Sequence, residues 1–211
     1  MVRRTVDNPE LVEGMPEEIA KLLANQGRLD EAQFLAVTEG TNWLVEFTDG
    51  YIEVLTMPTL THQRIVRFLF QLFWNFVSAR NLGEVIFVGL RVRLRPGQIR
   101  EPDIVFMSKE NAHRAGEEVW EGADLVVEVV SKDDKSRRRD HVQKRQDYAD
   151  GGIPEYWIVD PQEQQITVLK LSGQSYRLHG QWSGEEVATS ALLKGFQVQV
   201  KKVFEAAKKS S

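Results

Sequence analysis

Residues 124–131 read Asp-Leu-Val-Val-Glu-Val-Val-Ser, an aliphatic run with one carboxylate, Glu128, set inside it. A short apolar run led by an acidic residue suits a central strand buried on both faces. Strand alternation turns Leu125, Val127 and Val129 to one face and Val126, Glu128 and Val130 to the other. Glu128 is therefore predicted to sit among apolar neighbours, where a carboxylate is costly unless it is paired or coordinates a metal. A buried ion pair with Arg91 or Arg93 would be the purely structural answer.

Upstream, Glu101-Pro102-Asp103 leads into a second run of this kind, Asp103–Met107. Alone, Asp103 could simply cap backbone amides after a proline. Two carboxylates at the ends of adjacent strands can also hold a hard divalent cation, with a backbone carbonyl and waters completing the shell; Mg²⁺ suits few protein ligands best. Such an ion polarises a phosphoryl oxygen and acidifies a water, and a nearby lysine stabilises the charge that develops. Downstream, residues 136–150 are predicted to form a helix stopped by Gly151-Gly152. Asp140, Lys144 and Tyr148 recur every four residues and share a face, while Val142, Tyr148 and Ala149 supply the packing. On a solvated helix Lys144 would be a surface charge paired with Asp140 or Tyr148.

Elsewhere, residues 16–25 read as a short helix, with Pro16 in its first turn. Residues 43–47 and 51–55 form a hairpin turned at Asp49-Gly50 and carrying Glu46 and Glu53. Thr61 is the expected N-cap of a helix running to about Arg80, with His62 at its start. His62 at that position is ordinarily a packing or capping residue. The helix is apolar on most of its circumference, as for one wedged between layers or used at an oligomer contact. Residues 84–88 and 91–94 are strand-like, the second with an arginine face (Arg91, Arg93) and closed by Pro96-Gly97. Residues 155–159 and 165–171 are further strands joined at Asp160-Pro161, and residues 201–209 form a short amphipathic helix. Trp43, Trp74, Tyr156 and Trp157 are expected in the core. Interleaved strands and helices predict an α/β fold, a mixed sheet flanked by helices. The expected organisation is an extension over 1–33, a domain over 34–200 and a tail over 201–211.

The 211 residues include no cysteine, which excludes disulfides, thiolate metal sites and a cysteine nucleophile. Arg3 and Arg4 precede no apolar run, so no secretory signal is expected, and the apolar stretch 65–77 is too short and too polar to span a bilayer. A soluble, cytoplasmic protein with no membrane partner is the expectation. Net charge is −4, against the basic footprint of most nucleic-acid binders. Arg91, Arg93, Arg95 and Arg100 nevertheless crowd one stretch and Lys132, Lys135, Arg137, Arg138, Arg139, Lys144 and Arg145 another. An acidic enzyme can still present a basic cleft, although the 137–139 run is ordinarily a solvated helix surface. There is no Gly-rich phosphate loop, zinc spacing or nucleophile elbow.

Pro102-Asp103, then Glu128-Val129-Val130-Ser131, then Lys144-x-x-x-Tyr148, then Gly152-Ile153-Pro154-Glu155-Tyr156-Trp157-Ile158-Val159-Asp160-Pro161 resemble the Uma-type branch of the PD-(D/E)xK nuclease superfamily. Val45-Glu46-Phe47-Thr48-Asp49-Gly50, Met57-Pro58 and His62 look like that branch's entry hairpin and helix, and the likeness runs over about residues 34–171. It implies a restriction-endonuclease-like mixed central β-sheet flanked by helices, with Asp103 and Glu128 as metal ligands and the Val129 carbonyl assisting. The superfamily's third motif places lysine two residues after the acidic one, which here is Val130. The branch commonly shows this loss with a lysine from the following helix instead, and Lys144 is the matching position; Lys132 and Lys135 rank lower, in a polar loop. Glu46 and His62 match positions typical of the branch. The function implied is a Mg²⁺-dependent endonuclease acting on DNA, with Mn²⁺ able to substitute and a homodimer expected. The alternative is an inactive nuclease-fold protein that binds nucleic acid or a protein partner, motivated by the acidic net charge and the displaced lysine.

Overall fold

A computed structural model describes residues 17–41, 43–131 and 142–208. Two short helices come first, α1 (Glu17–Ala24) and α2 (Glu31–Thr38), followed by the hairpin β1 (Val45–Thr48) and β2 (Tyr51–Val54). Asp49 and Gly50 at its turn have φ of 47° and 89°, the doubly left-handed backbone that a tight two-residue hairpin requires. The long helix α3 (Leu60–Arg80) leads to β3 (Gly83–Phe87), β4 (Arg91–Arg95), β5 (Gln98–Arg100) and β6 (Ile104–Ser108). After a 3₁₀ turn come β7 (Val119–Glu121), β8 (Leu125–Val129), α4 (Lys144–Asp150), β9 (Glu155–Asp160), β10 (Gln165–Ser172), β11 (Ser175–Ser183), β12 (Val187–Thr189), β13 (Gln197–Gln199) and α5 (Val200–Glu205).

Six strands form the central sheet in the order β11-β10-β9-β8-β6-β3. Only β8 and β9 run parallel, so the sheet is mixed. A second sheet, β2-β1-β5-β4-β7, and the pair β12-β13 complete the strand pairing. The parallel step needs a crossover, and α4 lies within it. All five residues of β8 are buried, and alternation sorts them as predicted. Leu125, Val127 and Val129 join Ile65, Leu69 and Phe73 of α3 and Val203 of α5 on one side. Val126 and Val130 join Val92 of β4 and Tyr148 and Ala149 of α4 on the other. A third apolar cluster ties Ile19 and Leu22 of α1 and Phe34 of α2 to Val45, Phe47 and Ile99 of the second sheet.

Several expectations change. The N-cap of α3 is Thr59, whose hydroxyl accepts from the His62 N–H at 3.3 Å; Thr61 lies inside the helix. Trp74 is 51% exposed and Trp43 only half-buried, whereas Tyr156 and Trp157 are core. Only one face of α3 is deeply buried, against the central sheet and the C-terminal segment with Phe196 and Val203. Val142 is exposed, leaving Tyr148 and Ala149 to anchor α4. The part of the predicted helix before Val142, with Asp140, lies outside the described residues, as do Lys132, Lys135, the arginines 137–139 and Lys209. The C-terminal helix is shorter than expected, Val200–Glu205. The elements α2, β5, β7 and β11–β13 were not foreseen.

Glu155, fully buried at the start of β9, anchors the C-terminal segment. It accepts from Trp157 Nε1 and Ser190 Oγ, both at 2.6 Å, and from the amides of Ala191 and Leu192 at 2.6 and 2.7 Å. Each buried donor left unsatisfied costs about 1–3 kcal/mol. Glu155→Ala orphans these donors and is expected to lower stability by about 3 kcal/mol or more in urea unfolding; a loss below about 1 kcal/mol would show that the anchor is dispensable.

Candidate active site

Strand register brings the two predicted carboxylates together. In the antiparallel β6–β8 pair, Ile104 lies opposite Val127, and one further step sets Asp103 opposite Glu128. Asp103 Oδ2 accepts from the Val129 amide at 2.7 Å and lies 3.1 Å from His62 Nε2. The Thr59 cap fixes the first turn of α3, and His62 projects from it onto the end of β6.

Glu128 points to the sheet face covered by α4. Its Oε1 accepts from Lys144 Nζ at 2.7 Å and from the Tyr148 hydroxyl at 2.5 Å. One helical turn separates those two residues, so a single helix face delivers both. Lys144 Nζ also lies 3.2 Å from Glu46 Oε1 of the hairpin, and both side chains are almost fully buried. Four of the five predicted side chains, His62, Asp103, Glu128 and Lys144, line one concavity of about 60 Å³, together with Val129. Glu46 sits behind Lys144 and does not line it. Glu53, opposite Glu46 on β2, does not line it either. The structural pairing weighed for Glu128 is not the one present: Arg91 pairs with Glu101, and Arg93 with Glu31 and Glu121.

Burial opposes charge on His62, but the adjacent Asp103 carboxylate, helped by Glu128, carries the imidazole above its ordinary range. Burial, and then the charges of Glu128 and Glu46, push the Tyr148 phenol well above its usual range. Tyr148 thus keeps its proton and serves Glu128 as a hydrogen-bond donor.

The sequence reading missed three charged neighbours. Arg100, almost fully buried, pairs with Asp147 at 2.7 Å and lies 3.7 Å from Glu46. Glu101 is buried against Arg91 at 3.3 Å, and its Oε2 has no hydrogen-bond partner among the described residues. Both Arg100 and Glu101 immediately precede the Pro102-Asp103 motif, and Glu101, two residues before Asp103, shares its strand period, which was the available signal for it. Nothing in the local pattern distinguished Asp147 from any polar helix residue.

The cleft is acidic, with Glu101, Asp103 and Glu128 facing His62 and Lys144. Among the described residues no three His, Asp or Glu side chains gather closely enough to hold a metal ion by themselves. Two carboxylates, Asp103 and Glu128, and Val129 line the cleft beside room for water, and could hold an ion only with waters completing its shell. A hard divalent cation that keeps several of its waters is compatible with such a set.

The chain belongs to the Uma2 family, described as "Putative restriction endonuclease", whose model matches residues 31–201. No curated protein matches it. A solved structure, described as a putative nuclease belonging to DUF820 from Anabaena variabilis, superposes with a TM-score of 0.70 at 16% identity, covering 85% of this chain and 99% of that one. The likeness shows that the two share a fold, and the expected restriction-endonuclease-like α/β architecture is the one observed. No helix among the described residues is long and apolar enough to cross a membrane.

Burial, only partly offset by Arg91, raises the Glu101 carboxyl from 4.5 to about 7. Between those values the folded chain holds a proton that the unfolded chain has released, so Glu101's contribution to stability falls as pH rises through that window. In metal-free buffer, Glu101→Gln is expected to melt higher relative to wild type at pH 8 than at pH 5. A difference in melting temperature that is constant across this range would contradict it.

Proposed function

We propose that the protein is a Mg²⁺-dependent endonuclease that hydrolyses DNA phosphodiester bonds, with Mn²⁺ able to substitute. The observation that carries this reading is the convergence of Asp103, Glu128, Val129 and Lys144 on one acidic cleft, in a chain whose family is described as "Putative restriction endonuclease". Asp103 and Glu128 hold the ion, with the Val129 carbonyl as a further donor. When bound, the ion supplies positive charge to a phosphoryl oxygen and a more acidic water.

The chain's own groups do the rest. Lys144 Nζ carries its charge into the cleft beside Glu128 and stabilises the negative charge that grows on the scissile phosphate. Glu46 holds that ammonium from behind. His62 fixes the Asp103 carboxylate through Oδ2 and adds positive charge on the α3 side of the cleft. The active domain spans residues 34–200, with 1–33 and 201–211 appended. The reading extends to a cytoplasmic homodimer, since cutting both strands of a duplex requires two such sites or two visits.

A second reading, a nuclease-fold protein that binds nucleic acid or a protein partner without cutting, draws on the double carboxylate grip on Lys144. It differs in one respect: DNA binding would then show no response to metal.

Supercoiled plasmid incubated with Mg²⁺ or Mn²⁺ is the test. Wild type is expected to nick it, with Asp103→Ala and Lys144→Ala slower by roughly 100-fold or more. Equal rates in all three proteins would remove the site assignment.

A further inference from the structure

Six side chains, in the cleft wall and behind it, form a continuous chain of ion pairs and hydrogen bonds. Asp147 of α4 pairs with Arg100 of β5 at 2.7 Å, Arg100 with Glu46 of β1 at 3.7 Å, and Glu46 with Lys144 of α4 at 3.2 Å. Lys144 then meets Glu128 of β8 at 2.7 Å, and Tyr148 of α4 donates to the same Glu128 oxygen. The path leaves α4 at Asp147, crosses both sheets and returns to α4 at Tyr148. Lys144, Arg100, Glu46 and Tyr148 are all at most 3% exposed.

Charges this deep are expensive to bury, and well-packed apolar residues would stabilise the fold at least as well. Helix α4 already has an apolar anchorage through Tyr148 and Ala149, so holding the helix does not require the charges. What they supply is direction. Lysine has four rotatable carbons and no preferred acceptor, and a lone Nζ beside Glu128 would sample several positions. Glu46 on its second side limits that freedom. Glu46 is in turn restrained by Arg100, whose guanidinium is spread over Thr48 Oγ1 at 2.9 Å, the Phe47 carbonyl at 3.4 Å and Asp147. Tyr148 does the same for Glu128. Its ring is packed edge-on against Tyr156, centroids 5.0 Å apart, so the hydroxyl reaches Oε1 from a fixed direction.

We infer that Tyr148 and Arg100 are positioning residues of this site: Tyr148 fixes the orientation of the Glu128 carboxylate, and Arg100, through Glu46, fixes Lys144. The inference rests on the nuclease reading above and divides the labour within it. Tyr148 acts on the acidic ligand side and Arg100 on the lysine side. Groups that orient a metal-ligating side chain are typically worth 10–100-fold in metal affinity or activity.

The test measures Mn²⁺ binding by calorimetry without DNA, plasmid nicking, and metal-free melting, in the full chain. Tyr148→Phe keeps the ring and removes the hydroxyl; it is expected to weaken Mn²⁺ binding at least tenfold. Tyr176→Phe is the matched control, because that buried hydroxyl donates to the Ile153 carbonyl at 2.7 Å and, among the described residues, hydrogen-bonds to no site residue. It is expected to bind Mn²⁺ as wild type does, whatever it loses in melting temperature. Arg100→Lys is expected to lower kcat at least tenfold with Mn²⁺ affinity within twofold of wild type. Wild-type Mn²⁺ affinity in Tyr148→Phe, or an equal loss in Tyr176→Phe, would overturn the Tyr148 assignment. Unchanged kcat in Arg100→Lys would overturn the other. Failure of wild type itself to bind Mn²⁺ overturns the metal reading, and this inference with it.

Discussion

The Glu128 carboxylate lies in one of the two central strands of a six-stranded sheet, with apolar side chains before and after it on its own face. An unpaired charge there would cost several kcal/mol after relaxation. Most of what is unusual in the molecule follows from that constraint. A cation has to come to the strand, because the strand cannot take its charge to water. Helix α4 brings it, and α4 belongs to the crossover between the two parallel strands β8 and β9. The parallel step and the charge compensation are therefore one feature of the topology.

The second sheet has a related purpose. Its β1 and β5 place Glu46 and Arg100 against α4 from the side opposite β8. Through them the Lys144 ammonium gains a second carboxylate, Glu46, beside Glu128. The arginine-rich face of β4 reads as a basic surface when only alternation is considered. Its arginines are in fact engaged by carboxylates: Arg91 by Glu101, Arg93 by Glu31 and Glu121, Arg95 by Asp49. A chain of net charge −4 has enough acid to do this, and clustered basic residues in such a chain are a poor guide to an open nucleic-acid surface.

How far the sequence discloses the structure depends on the range of the interaction concerned. Alternation in β8 was legible because burial on both faces leaves a period-2 pattern that one carboxylate interrupts. The hairpin turn at Asp49-Gly50 was legible because few residues tolerate left-handed backbone. The cap of α3 slipped from Thr61 to Thr59 because two threonines compete and the choice depends on where the preceding loop leaves β2. Short strands such as β5 and β7 have three residues each, too few for a period to emerge. The Asp103–Glu128 alignment depends on the register between β6 and β8, and Arg100–Glu46–Lys144 on the packing of three separate elements. No window along the chain contains either. The family resemblance supplied the first, since motif order carries register implicitly; it was silent on the second, because Arg100 precedes the motifs compared and Asp147 falls at an unspecified position inside one of them.

The replacement of the usual motif lysine by Val130 can be argued from the same geometry. Val126, Glu128 and Val130 share the face of β8 that α4 covers, and Val130 is buried in the cluster with Tyr148. A lysine at that position would extend over the same carboxylate from within the strand, its path set by the rigid sheet. Lys144 approaches the same oxygen from the helix above, so the charge arrives at an equivalent place by a longer and looser route. A helix-borne lysine loses the directional control of the strand and needs restraint from elsewhere. The Glu46–Arg100–Asp147 relay is of the kind that such a displacement demands, and its members come from the hairpin, the neighbouring strand and α4 itself. On the proposed nuclease reading, moving one lysine from strand to helix accounts for the buried charges around it, which a stability argument alone would not.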